Sequence, residues 1–322
     1  MSNTIDQIIK KYQELGENPE TYLEGLLHAD PITYWDYVEV DTLLSLQKPR
    51  TPFKDEVIFI MYHQVTELLL KLIRHELEQL VDGDIIDKNQ VTVKIGRCIR
   101  YTEMLISSFD IMKDGMDPGE YQKFRKTLTP ASGFQSAQFR YIEILCTPLE
   151  NLINEEGRQR LPQNPSVEEY VDHIYWKDAG YDRSTGKKTL TLQRFEEKYL
   201  EDFITLAKKV QGLTLGDKIS QMGDRSSLLV QTLKKFDYLY NVEWPMVHLR
   251  TAAHYLEEKN GQIAATGGSK WKKYLHPSHQ QRKFFPALWT EIEKEQWGEP
   301  KTIDHGNKEQ TTSTYYSRRQ DL

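Results

Sequence analysis

Val57-Ile58-Phe59-Ile60-Met61-Tyr62-His63-Gln64-Val65-Thr66-Glu67-Leu68-Leu69-Leu70-Lys71-Leu72 is a run that, wound as a helix, is apolar on nearly every side. A helix of that kind is normally buried in a large core, and a histidine inside it must either find a partner or do chemistry. A second such stretch runs from Trp244 to Leu256, where His248 is embedded among Val247, Leu249, Ala252 and Ala253. Two core histidines on separate helices suggest a pocket between them.

The rest of the chain surrounds these two stretches with helical patterning. Its 322 residues, 38% of them hydrophobic, can form one large domain or two modest ones with a sizeable core. A helix reads from Asp55 to Leu80 through His63 and His75. Another reads from Asn89 to Lys113, with Val93, Ile95, Ile99, Met104, Leu105 and Phe109 at helical rather than alternating intervals. Asp114-Gly115-Met116-Asp117-Pro118-Gly119 ends it with turn chemistry. Further helices are expected over 134–149, 192–208, 226–256 and 277–293, and no long alternating strand pattern appears, so the fold class is all-α. Residues 1–322 read as a single mostly helical domain. It has an N-terminal arm over about 1–50, opening with a short amphipathic helix from Ile5 to Glu24, and a peripheral polar insertion over about 157–188.

Composition narrows the function classes. Cys98 and Cys146 lie in apolar contexts without ligand-like spacing and read as reduced core thiols. A net charge of -6 argues against a nucleic-acid partner, although Lys270, Lys272 and Lys273 form a local basic cluster. No stretch approaches the length of a membrane span, and Met1-Ser2-Asn3-Thr4-Ile5-Asp6 lacks the apolar segment of a secretory signal. No membrane association and a cytoplasmic location are therefore expected.

Taken singly, the polar candidates leave two readings open. His63 could be a satisfied core histidine, bonded by Glu67 four residues along the same face, and His248 could pair with a carbonyl or a tyrosine. Neither belongs to a His-x-x-x-His or repeated Glu-x-x-His pattern, which weakens zinc hydrolase and di-iron readings. A haem iron, by contrast, needs only one axial imidazole and an apolar cavity, and a flat cofactor is one thing that could fill the space between two histidines. Arg125, close to Tyr121 and Phe124 and followed by Pro130-Ala131-Ser132-Gly133, can hold a carboxylate with its planar fork of donors or can be an ordinary surface arginine. Arg140 pairs more naturally with Glu143, three residues on. Ala264-Ala265-Thr266-Gly267-Gly268-Ser269 offers hydroxyls and backbone donors but is not a Walker loop.

The set as a whole resembles the tryptophan 2,3-dioxygenase family. The resemblance runs from about Ile32 to Leu288 and rests on separated motifs in order: Tyr34-Trp35-Asp36-Tyr37 with Leu43-Leu44; Asp55-Glu56 with Phe59-Ile60-x-x-His63-Gln64 and Glu67-Leu68; Tyr121-x-x-Phe124-Arg125 with Pro130 to Ser136; Trp244-x-x-x-His248 with Arg250; and Thr266-Gly267-Gly268-Ser269. It implies an all-helical haem-binding domain of that family's type, haem b as cofactor and a homotetramer. By the same resemblance His248 is the proximal ligand of the iron, and Ser132, Gly133 and Gly267 line the cofactor. His63 is the distal histidine that takes the indole N–H, Phe59 packs on the indole, Arg125 grips the amino-acid carboxylate, Thr266 contacts the zwitterionic end and Tyr121 lines the pocket. Tyr34, with Tyr37 beside it, completes the site from a neighbouring subunit.

The activity so implied is oxidation of L-tryptophan by dioxygen, inserting both oxygen atoms as the indole C2–C3 bond breaks to give N-formylkynurenine. Two departures lie near the site. Lys270-Trp271-Lys272-Lys273 follows Thr-Gly-Gly-Ser where the family usually has Ser-Gly, and the stretch around Glu257 to Gln262 is longer than is typical. They keep open an alternative, insertion of a single oxygen into tryptophan or a substituted tryptophan to give an oxindole or hydroxylated product. A haem sensor or storage bundle without turnover is a third reading, against which the pairing of Arg125 with Thr266 weighs.

Overall fold

A computed structural model of the chain describes residues 2–83, 87–128, 133–182, 185–223, 226–258, 261–262 and 276–299. It divides into two compact units, Met1–Lys48 and Pro49–Leu322.

In the N-terminal unit, four helices follow one another: α1 (Ser2–Glu14), α2 (Pro19–His28), α3 (Tyr34–Val38) and α4 (Val40–Leu44). The expected single helix over 5–24 is thus two. Gly16, at φ +77°, ends the first in the left-handed region, and Asn18 then caps α2 through the Glu20 amide with Pro19 in its first turn. The rings of Tyr12 and Tyr22 stack across the joint, 4.0 Å apart.

The larger unit is built on α5 (Asp55–Val81), which carries Asp55 and Glu56 in its first turn where the helix dipole favours negative charge. There follow α6 (Lys88–Ser107), α7 (Phe109–Asp114), α8 (Pro118–Phe124), α9 (Ala137–Cys146), α10 (Glu155–Arg160), α11 (Val167–Asp172), α12 (Leu190–Lys209), α13 (Leu215–Gln221), α14 (Ser227–Tyr238) and α15 (Trp244–Leu256). Helix α5 lies against α6 and α9, and α14 against α6, around a core that includes Leu70, Ile73, Leu77, Ile95, Leu145 and Leu233. A π-helical turn, Leu239–Glu243, joins α14 to α15 and makes one continuous rod of the two. The only strands among the described residues are the pairs Glu257–Glu258 and Gly261–Gln262, a two-residue antiparallel ladder, so the fold is all-α. No described helix is long and apolar enough to cross a membrane.

Two expected helices of the larger unit are also broken. The one over 89–113 is interrupted at Ser108, which ends α6 and begins α7. The one over 277–293 is replaced by Pro277–Gln280, a 3-10 turn at Pro286–Leu288 and Glu291–Glu295. The cause of the second is Asp237, wholly buried on α14, whose carboxylate accepts from the backbone N–H groups of Phe284 (2.8 Å) and Phe285 (3.1 Å), from Trp289 Nε1 (2.8 Å) and from Asn241 Nδ2 (2.8 Å). Backbone donors that turn toward a buried carboxylate cannot also serve a helix. The polar stretch 157–188 sends Tyr175 and Trp176 into the core, where Tyr175 joins a buried ion network. In that network Glu143 accepts from Arg140 Nη1 (2.7 Å), Arg282 Nη1 (2.8 Å) and the Tyr175 hydroxyl (2.6 Å). Arg140 is therefore a structural residue paired with Glu143.

Candidate active site

Helix α5 meets α8 through its first turn, and this joint sets the site. The Asp55 amide donates to Glu120 (3.0 Å), and the Asp117 amide donates back to the Asp55 carboxylate (2.6 Å). Glu56 turns the other way and accepts from the backbone N–H groups of Arg50 (2.9 Å) and Thr51 (2.7 Å). Burial alone would raise its pKa, but these bonds, with that from the Thr51 hydroxyl, outweigh it and hold the carboxyl low. With the two helix starts clamped, Phe59 on α5 lies 6.2 Å from the ring of Tyr121 and 5.6 Å from that of Phe124, both on α8.

One turn further along α5, His63 lies with its ring 4.1 Å from that of Phe59 and 5.3 Å from that of Tyr62. Its Nδ1 is 2.7 Å from the carbonyl oxygen of Phe59. A carbonyl can only accept, so Nδ1 carries the proton and Nε2 is left as an acceptor. Glu67, offered by the spacing as partner of His63, is engaged with Ser136 and Arg140 instead. Its pKa is raised by burial, against the pull of that hydroxyl and that charge.

From Tyr62 the aromatic chain continues to Phe109 (5.7 Å), and Phe109 stacks on His248 with centroids 5.5 Å apart and planes at 29°. The histidines of α5 and α15 are thus joined through Tyr62 and Phe109. Burial lowers the His63 pKa against the pull of the Phe59 carbonyl, and burial together with the charge of His63 brings His248 down to about 4, so both rings are neutral near pH 7. Yet His63 keeps an exposed face and His248 is only half-buried.

Arg125, immediately after α8, is 7% exposed and so is not a surface arginine. Its guanidinium lies 5.9 Å from the Tyr121 ring centre, and Nη1 donates to Gln122 Oε1 at 3.4 Å. Gly133 opens the short turn Gly133–Gln135 that leads to Ser136, the cap of α9, and a Cβ built on it would meet His248 Cε1 at 3.7 Å. Tyr34 belongs to the N-terminal unit, where it is 73% exposed. Ser132, Thr266 and Gly267 lie outside the described residues.

Thus His63, Phe59, Tyr121, Arg125, Gly133 and His248 are brought together in the larger unit. Three contributors escape the sequence reading as site residues. Phe109 reads as one more core position of a long helix, although the Ser107-Ser108 break just before it is a hint. Tyr255 lies seven residues after His248, two turns along the same face, and rests its ring 4.6 Å from that of Tyr121. Gln122 bonds both the Tyr255 carbonyl and Arg125.

An all-helical protein that sets two imidazoles and a buried arginine among contacting aromatic rings is the class that fold and site define. A sequence model of the family described as tryptophan 2,3-dioxygenase matches residues 25–181. The tryptophan 2,3-dioxygenase of Bacillus thuringiensis subsp. konkukian is 31% identical over 293 residues, covering 85% of this chain and 97% of its own length. That of Geobacillus thermodenitrificans is 28% identical over 83% of this chain and 95% of its own, and that of Myxococcus xanthus 30% identical over 81% and 89%. The chain belongs to the tryptophan 2,3-dioxygenase family, which places it among the oxidoreductases.

Proposed function

We propose that this chain is a haem-dependent tryptophan 2,3-dioxygenase, cleaving the indole C2–C3 bond of L-tryptophan with dioxygen to give N-formylkynurenine. The observation that carries this reading is the run of ring contacts through Tyr62 and Phe109 that joins His63 on α5 to His248 on α15 in a member of this family. The residues present fit a haem. His248 is neutral and accessible, no described residue hydrogen-bonds its ring, and Phe109 steadies it by stacking. Among the described residues no group of three or more His, Cys, Asp or Glu is arranged to hold an ion, and haem needs only one such ligand. His248 would hold the iron, with Gly133, Ser132 and Gly267 against the macrocycle.

Haem, when bound, supplies the dioxygen chemistry that no side chain offers. The chain's own residues do the rest. His63, its Nδ1 proton held by the Phe59 carbonyl, presents Nε2 as acceptor for the indole N–H and so orients the ring without acting as a charged group. Phe59 and Tyr121 exclude water and pack the indole, and Arg125 takes the carboxylate with its fork of N–H donors. Thr266 completes the amino-acid end of the same reading.

A homotetramer belongs to this proposal. Along α5, Met61, Val65, Leu68 and Leu72 are 41–47% exposed and form an apolar stripe at helical spacing. In the N-terminal unit Tyr34, Trp35 and Tyr37 are likewise exposed, as aromatics offered to a second copy would be.

The test is anaerobic reduction of the haem-loaded protein, addition of L-tryptophan and heavy-labelled dioxygen, and mass analysis. Ring opening with gain of two labelled atoms is expected. Gain of one labelled atom, or no product, overturns the proposal.

A further inference from the structure

The side chain of Gln122 is held at both ends. Its Oε1 accepts from Arg125 Nη1 at 3.4 Å, and its Nε2 donates to the backbone carbonyl of Tyr255 at 2.5 Å. An arginine can only donate and a carbonyl can only accept, so only one orientation of the amide satisfies both partners. Gln122 itself is half-buried and stands on α8, between Tyr121 and Arg125.

The far anchor is packed into the core. Tyr255 is 5% exposed, its hydroxyl donates to the Met112 carbonyl, and its ring lies 4.6 Å from that of Tyr121. It sits in the last turn of α15, the helix that carries His248. A chain of three groups therefore runs from the helix of His248, through the Tyr255 carbonyl and the Gln122 amide, to the Arg125 guanidinium.

A guanidinium grips a carboxylate well only when its plane is turned so that two parallel N–H bonds face the ligand. A neighbour that takes one N–H restricts that rotation. We propose that Gln122 is a positioning residue for substrate selection, which sets the plane of Arg125 and indexes the carboxylate clamp to α15, so that an indole bearing a carboxylate is favoured over one without. The inference rests on the reading of Arg125 as the carboxylate clamp and adds to it the residue that aims the clamp.

The experiment uses the full-length, haem-loaded protein and two ligands with the same ring system, L-tryptophan and tryptamine, which lacks the carboxylate. Binding is read from the change in the haem absorption bands and by calorimetry, and turnover from KM and kcat. Gln122→Leu removes both bonds at similar volume. It is expected to weaken L-tryptophan about three- to tenfold, the worth of one or two net hydrogen bonds, while tryptamine changes less than about twofold. Gln122→Glu occupies the same space but sets a carboxylate against the guanidinium. It is expected to cost L-tryptophan more than Gln122→Leu does, again with tryptamine little affected, and it serves if the leucine variant does not fold. The loss should fall on KM more than on kcat, and a merely structural role would weaken both ligands together.

Equal loss for both ligands, or no loss for either, overturns the proposal. Arg125→Ala separates it from the reading beneath it. If Arg125→Ala erases the preference for L-tryptophan and the Gln122 variants do not touch it, the clamp stands and the positioning role falls. If Arg125→Ala leaves the preference intact, both fall.

Discussion

Gly133 faces the edge of His248, and a Cβ added to the glycine would lie 3.7 Å from Cε1 of the imidazole. That is ordinary van der Waals contact, so one extra carbon fits beside the ring. Gly133→Ala should accordingly fold and bind haem as the parent does, whereas Gly133→Phe should crowd the imidazole and lower the haem-to-protein ratio several-fold. The pigment content of purified protein after haem loading checks this, with His248→Ala as the variant that loses the axial ligand outright.

The Glu143 network makes a prediction about stability. This carboxylate is 1% exposed and pairs with two guanidinium groups that are themselves buried, Arg140 and Arg282. Removing it strands both charges in the core, which costs far more than the net worth of the pair. Glu143→Ala should destabilise the fold by about 3–5 kcal/mol, measured by denaturant unfolding, and Glu143→Gln, which keeps one of the two acceptor oxygens and the side-chain volume, should cost less.

How much of this was legible beforehand follows from which interactions are local. His63 and His248 stood out because apolar runs around a histidine are visible in any window of a dozen residues, and the Arg140–Glu143 pair because it is three residues apart on one helix. Glu67, the partner that helical spacing offers a core His63, goes instead to Ser136 and Arg140 through tertiary packing, and the ring turns to the Phe59 carbonyl, an acceptor that no side-chain pattern marks. What distance in sequence hides is the rest. Asp237 reorganises a segment about fifty residues downstream, and nothing local in Phe284-Phe285 announces that its amides are already taken. The π-turn at Leu239–Glu243 is invisible for another reason, since it needs only one residue more per turn than an α-helix and no particular side chain.

Acid should loosen this fold through identifiable groups. Burial would raise the Glu76 pKa, but hydrogen bonds from Arg97 Nη1 and Lys94 Nζ, both at 3.0 Å, together with their charges, outweigh it and lower the pKa. Glu56 is lowered likewise by the Thr51 and Arg50 donors. A carboxyl with a depressed folded pKa binds fewer protons folded than unfolded. Its contribution is therefore fully present above the unfolded value of about 4.3 and lost as pH falls through the lower folded value. Melting temperature should hold between neutrality and about pH 5 and then drop, and Glu76→Gln should be less stable at pH 7 and show a shallower drop.

The exposed stripe of α5 yields a prediction about assembly. Met61, Val65, Leu68 and Leu72 recur at intervals of three and four residues, so their side chains form one row on the helix that also carries Phe59 and His63. A charge in the middle of that row costs little in a single chain, because Leu68 is already 47% exposed, but it costs the full desolvation of a carboxylate where the row is covered by a second copy. Leu68→Glu should therefore leave the melting of the isolated chain nearly unchanged while shifting the protein to a smaller species, seen by light scattering coupled to gel filtration. If the row is covered in the working enzyme, the same substitution should also lower activity at low protein concentration and recover it in part when the concentration is raised. An unchanged molar mass for Leu68→Glu would remove this face from any subunit interface.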